Sequence, residues 1–266
     1  MANSEPLFQA VHYLQTLQGY WWPFCRIMAT CAFAPLFNHK AISIRIRVLL
    51  AIALTAALSP SLPPMPDIDP FSGAGVLATL EQVVFGILMG LALQLVFTIY
   101  MVVGEIVSTQ MGMSMARYND PMNGVSSSSI VYQLYFILLV LLYFAIDGHL
   151  LTVGVLHQSF SYWPVGAGLS YLAMHSLALA LAWVISAAVL IAIPISFCMT
   201  MVQFCFGLLN RISPSMNLFS LGFPITILLG LLCIFLSLPA IPESYLNLSR
   251  ELLRSIGQML AEAPHG

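Results

Sequence analysis

Charge is the scarcest property of this sequence. Of 266 residues only 7% are Asp, Glu, Lys or Arg, whereas 60% are hydrophobic. A soluble domain is about one-quarter charged, so an ordinary water-facing surface is excluded and the chain reads as an integral membrane protein. The net charge of −2 argues against a nucleic-acid partner. Cysteine is also sparse. Cys25, Cys31, Cys198, Cys205 and Cys233 lie in apolar runs without a CxxC pair, which argues against a metal cluster or disulfide framework. They read as small apolar packing residues. There is no HExxH and no GxxxxGK[ST], hence no zinc-protease helix and no phosphate-binding loop. Acids near the apolar runs stand singly, which builds neither a proton relay nor an ion filter. No catalytic, cofactor-binding or metal residue is expected, and the chain is not expected to be an enzyme. The first ten residues, MANSEPLFQA, lack a basic region before an apolar core, so a cleavable signal peptide is not expected.

What the chain does have is apolar runs, about six of them, giving an all-α polytopic membrane protein. The first, residues 10–37, holds Trp21-Trp22-Pro23 and Arg26. The tryptophans suit a membrane–water interface. Arg26 either snorkels to that interface or pairs with an acid on another chain. A basic loop with Lys40, Arg45 and Arg47 precedes a second, short span over 48–66. The proline-rich linker 63–71 is extended. Glu81 then precedes a third span, in which Gly86 and Gly90 stand four apart. That spacing admits close helix approach, or is chance in a glycine-tolerant membrane helix.

The run Ser126–Ser129 is placed to cap a fourth span over 130–146, which ends at Asp147-Gly148-His149. His149 more naturally caps a helix end than shuttles protons. Residues 157–168, HQSFSYWPVGAG, read as a turn or a short interfacial segment. A fifth span, 172–209, should be kinked by Pro194. Arg211-Ile212-Ser213-Pro214 breaks the chain, and a sixth span follows over 218–241 with Gly222-Phe223-Pro224 near its start. The tail repeats apolar residues at helical spacing, as an amphipathic surface helix does. The basic 40–47 loop and acidic 67–81 linker put the N-terminus outside.

The stretch Gln110–Gly124, QMGMSMARYNDPMNG, organises the whole. Four of the fourteen methionines lie in it: Met111, Met113, Met115 and Met122. Gly112, Asp120-Pro121 and Asn123-Gly124 interrupt the helix. Bare in lipid, its unpaired peptide groups would cost several kcal/mol each, on the order expected for unsatisfied amides. It is therefore a solvated loop or the lining of a protein-walled cavity. Composition alone leaves a small-molecule transporter and a subunit of a larger channel. The absence of an internal repeat leans towards the subunit.

Three segments carry a resemblance. GMSMARYNDP at 112–121, LLYFAIDGHLLTVGVLHQSF at 141–160 and LLNRISPSMNLFSLGFPI at 208–225, in this order, resemble the FliR family of flagellar export-gate proteins. The SctT proteins of injectisomes are the nearest kin of that family. One departure is Ser215, where the family often has glutamine. The resemblance implies a non-enzymatic subunit in the bacterial inner membrane, at the flagellar basal body. It would be present as one copy with several FliP and FliQ subunits, beside other export components, in a closed conduit for unfolded substrates. It also implies bent helical hairpins in one domain over 1–266. Helices of 10–209 would surround the loop at 110–124, with 210–266 as the last hairpin segment and amphipathic tail.

By the same resemblance, Gln110, Met111, Gly112, Met113, Met115, Tyr118, Asp120, Pro121 and Met122 form a pore plug. Methionine suits a seal that must repack, and an apolar constriction blocks ions by dewetting. Arg26, Asp147, Arg211, Pro214, Asn217, Gly222, Phe223 and Pro224 are expected to brace the assembly. Injectisome use and a stand-alone transporter are the alternatives.

Overall fold

The computed structural model describes residues 5–37, 42–113, 129–166, 171–212 and 218–261. Every regular element among them is helical: α1 (Glu5–Phe33), α2 (Ile44–Leu58), α3 (Gly73–Gln110), α4 (Ile130–Ala145), α5 (Gly148–Tyr162), α6 (Tyr171–Ile212), α7 (Leu218–Ser237) and α8 (Ile241–Ala261). Short 3₁₀ turns at Ser59–Ser61 and Leu238–Ala240 extend α2 and join α7 to α8. The all-α polytopic fold is as expected. Among the described residues, four helices are long and apolar enough to cross a bilayer, or five if α4 and α5 count as one span.

Helix ends differ from the hydropathy reading in four places. α2 starts at Ile44, so Arg45 and Arg47 belong to its first turn rather than to a loop. α3 starts at Gly73, and Glu81 lies buried within it rather than ahead of it. Its N-terminus is closed by Ser72, whose Oγ accepts from the Gly75 amide at 3.0 Å. HQSFSY is helical, because the last turns of α5 run to Tyr162 before Trp163 ends them. Gly222-Phe223-Pro224 is no break and lies inside α7. A mid-helix proline costs roughly 3 kcal/mol, which apolar turns around it offset.

Two compact units interleave along the sequence. The first comprises residues 1–94, 147–180 and 252–266, the second 95–146 and 181–251. In the first, α1 and α3 are in contact at backbone distance. A Cβ on Gly86 would stand 2.6 Å from the Ala29 Cβ, and one on Gly90 2.7 Å from the Thr30 carbonyl oxygen. The spacing of these glycines is therefore a packing device, since only hydrogen fits. Ile27, Cys31, Ala51 and Leu156 bring α1, α2 and α5 into one core. Cys25 and Cys31 are buried as expected, whereas Cys198 and Cys205 are exposed. Trp22 is buried, and only Trp21 keeps an exposed ring, with its Nε1 donating to Thr79 Oγ1 at 3.1 Å.

The second unit is built on aromatic rings. Phe97 of α3 meets Tyr143 of α4 at 5.9 Å and Tyr245 of α8 at 6.1 Å between centroids. Tyr100 meets Tyr135 at 6.3 Å, and its hydroxyl donates to the Ile241 carbonyl at 3.3 Å. Such pairs add about 0.5–1.5 kcal/mol each beyond area burial. Ser129 caps α4, accepting from the Tyr132 amide at 3.0 Å, as the serine run predicts. The amphipathic tail is helix α8, with Tyr245 and Leu252 on its buried side.

Candidate functional site

Two places gather the sequence-predicted residues, one in each unit. In the first unit Arg26 has no exposed surface. Its Nε donates to Gln82 Oε1 at 2.8 Å, Nη1 to the Ser159 carbonyl at 2.9 Å and Nη2 to the Trp163 carbonyl at 2.8 Å. Ser159 and Trp163 lie at the end of α5, its negative dipole end; the Ser159 carbonyl also accepts from the Trp163 amide at 3.0 Å, whereas the Trp163 carbonyl is one that a helix end leaves without an internal partner. The guanidinium thus caps another helix. Phe160 and Phe85 lie against it, 4.1 and 5.4 Å from ring centroid to Cζ, as a cation over π faces. Phe85 in turn stacks on Trp163 at 4.7 Å. Arg26 therefore neither snorkels nor reaches for another chain's acid, because two other helices of its own chain, α3 and α5, satisfy it. Gln82 and Ser159 were not anticipated. Gln82 is one of three glutamines in α3, so the sequence did not single it out.

In the second unit α3 ends at the start of the methionine-rich stretch. Gln110 is its last residue, and its carbonyl accepts from Gln203 Nε2 at 2.8 Å. Met111, expected to help close a pore, is fully buried in this chain's own core against Gly230. Its carbonyl accepts from Thr226 Oγ1 at 3.2 Å. Gly112 follows with φ +79°, a conformation glycine adopts without strain, and faces Phe223. Met113 is half-buried. Met115, Tyr118, Asp120, Pro121 and Met122 lie outside the described residues.

The other expected residues are scattered. Asp147 is exposed, with φ +55°, and its carbonyl rather than its side chain starts α5, accepting from Leu150 at 2.9 Å. Among non-glycine residues, Asp is one of the few that tolerate this region. His149 follows in the first turn of α5. Arg211 is exposed in the last turn of α6, where a cation suits the helix dipole. Pro214 and Asn217 lie outside the described residues. Gly222 is buried, Phe223 is 40% exposed, and Pro224 faces outward on α7. Among the described residues, no group of three or more His, Cys, Asp and Glu is placed to hold a metal ion.

Comparison with known proteins bears on the whole chain. The family model of bacterial export proteins, family 1, matches residues 17–252. The flagellar biosynthetic protein FliR of Pectobacterium carotovorum subsp. carotovorum is 33% identical, over 91% of this chain and 93% of its own. FliR of Escherichia coli is 28% identical over 95% and 96%. The surface presentation of antigens protein SpaR of Shigella flexneri is 26% identical over 86% and 88%. Matched over residues 17–252 by the family model and over nine-tenths of its length by a FliR protein, the chain belongs to the bacterial export proteins of family 1, the FliR family.

Proposed function

We propose that this FliR-family chain is a structural, non-enzymatic subunit of the flagellar protein-export gate in the bacterial inner membrane. Its similarity to FliR over nine-tenths of both chains carries the reading. The flagellar relatives reach 33% identity against 26% for SpaR, which favours flagellar over injectisome use. One copy assembles with several copies of FliP- and FliQ-type subunits around a conduit for unfolded export substrates. Energy for export comes from other components.

The segment beginning after Gly112 is the seal of this conduit. Met113, Met115 and Met122 supply flexible apolar side chains that pack against irregular contents and repack afterwards. Met111 has a different part in the same device, because its burial makes it the anchor of the stem. Gly112 is the hinge between anchor and seal. Arg26, Asp147, Arg211, Pro214, Asn217, Gly222, Phe223 and Pro224 support the subunit in the assembly, Arg26 by fixing helices within it. Replacing residues 113–122 with a short flexible linker leaves the anchor intact. Assembled complexes carrying that replacement should leak ions across a bilayer, and unchanged conductance would remove the seal from this account.

A further inference from the structure

Helices α6 and α7 both reach the end of α3. Gln203 of α6 donates from Nε2 to the Gln110 carbonyl at 2.8 Å, and Thr226 Oγ1 of α7 lies 3.2 Å from the next carbonyl, that of Met111. Back along α6 from Gln203 stands Cys198, and onward along α7 from Thr226 stands Cys233. Their side chains meet as well, because the Cys233 thiol is hydrogen-bonded to Cys198. The two helices therefore run antiparallel and stay in contact between these two points. Both thiols are free, Cys198 on an exposed position and Cys233 half-buried.

The sequence gives no sign of this pair, which lacks a CxxC spacing and is divided between two apolar runs. In space it is a dithiol bridging two helices. Among the described residues no third His, Cys, Asp or Glu joins it to make a metal site. A disulfide needs only the two sulfurs. Its Cβ atoms stand about 3.5–4.5 Å apart, and hydrogen-bonded thiols on side chains with a single torsion lie near that range. We propose that Cys198 and Cys233 are a redox-active pair, a modification site at which a two-electron oxidant staples α6 to α7. With a diazene as oxidant, Cys198, the more exposed sulfur, adds to the N=N bond and forms an S–N bond. Cys233 then attacks Cys198 Sγ. The S–S bond forms, the S–N bond breaks, and the oxidant leaves as a hydrazine carrying both thiol hydrogens. Two electrons pass from the sulfurs to the diazene. The staple fixes the separation of the two helices that reach the end of α3, so oxidation stiffens that junction.

The test uses the full chain purified in mild detergent under reducing conditions, with the membrane-permeant diazene diamide as the probe. Of the five cysteines, two should become unavailable to N-ethylmaleimide in denaturant, and dithiothreitol should restore both. Peptide mapping should join Cys198 to Cys233 within one chain. Cys205, exposed further along α6, is the internal control and should stay alkylatable. Cys198→Ser and Cys233→Ser should each abolish the link within the chain, whereas Cys205→Ser should keep it. Five alkylatable thiols after diamide, or a link that runs through Cys205 or between chains, would overturn the pairing. Wild-type protein alone decides this, so the result does not depend on any variant folding. The stapled form should also have a raised thermal midpoint that dithiothreitol reverses. An unchanged or lower midpoint would overturn the stiffening.

Discussion

Desolvating a guanidinium costs several kcal/mol unless its donors are met. Arg26 meets them with two helix-end carbonyls, an amide and two aromatic faces. Arg26→Leu would leave the Trp163 carbonyl and the Gln82 amide oxygen buried and short of a donor, while the Ser159 carbonyl would keep the Trp163 amide. The expected loss is about 2–5 kcal/mol, at roughly 1–3 kcal/mol for each orphaned group with some relaxation. It should register as a lower thermal midpoint of the detergent-solubilised chain. Arg26→Lys should recover only part of this loss, because an ammonium cannot reproduce the planar fork. An equal midpoint for Lys and Arg would mean that charge alone matters. The sequence marked Arg26 as exceptional by its charge within an apolar run. Its partners were illegible, since Gln82 and Ser159 stand 56 and 133 residues away.

At the scale of the helix, backbone contact between α1 and α3 is the sharpest constraint. Gly90→Ala would press a methyl into the Thr30 carbonyl and the Phe33 Cβ, 2.7 and 2.8 Å away. Overpacking of this kind costs about 1–3 kcal/mol. Gly154→Ala on α5 meets nothing within 4 Å, and should stabilise the chain by up to about 1 kcal/mol through helix propensity. Opposite shifts of the thermal midpoint check the pair. Ser129→Ala should cost about 1 kcal/mol as a lost N-cap, read in the same assay. The glycine spacing and the serine run were both visible in the sequence. Whether each was used was not, because that depends on a facing surface supplied by distant residues. The helix boundaries misled for a related reason. Hydropathy marks where charge stops, while α3 continues through buried Glu81 and α7 through Pro224, since packing and neighbouring turns outweigh a local penalty.

For the whole molecule, the apolar surface is the dominant fact. Leu228, Leu231, Leu232, Phe235 and Leu236 of α7 are 47–69% exposed. α4 and α6 also show rows of exposed large apolar side chains, Ile137 and Leu141 on one, Leu190 and Phe197 on the other. Contiguous faces of this size are not stable in water and must be covered by lipid or by protein. Helix α3, with 38 residues, is about 57 Å long, well beyond the roughly 30 Å of a bilayer's hydrocarbon core. That excess length fits a subunit whose apolar helices are covered partly by partner proteins. Hydropathy counts apolar runs but does not say what covers them. Native mass spectrometry of the tagged chain, drawn from its own membranes in mild detergent, asks that question directly. The account predicts a large complex with one copy of this chain and several copies of two small apolar partners. A lone monomer or a simple homodimer would contradict it.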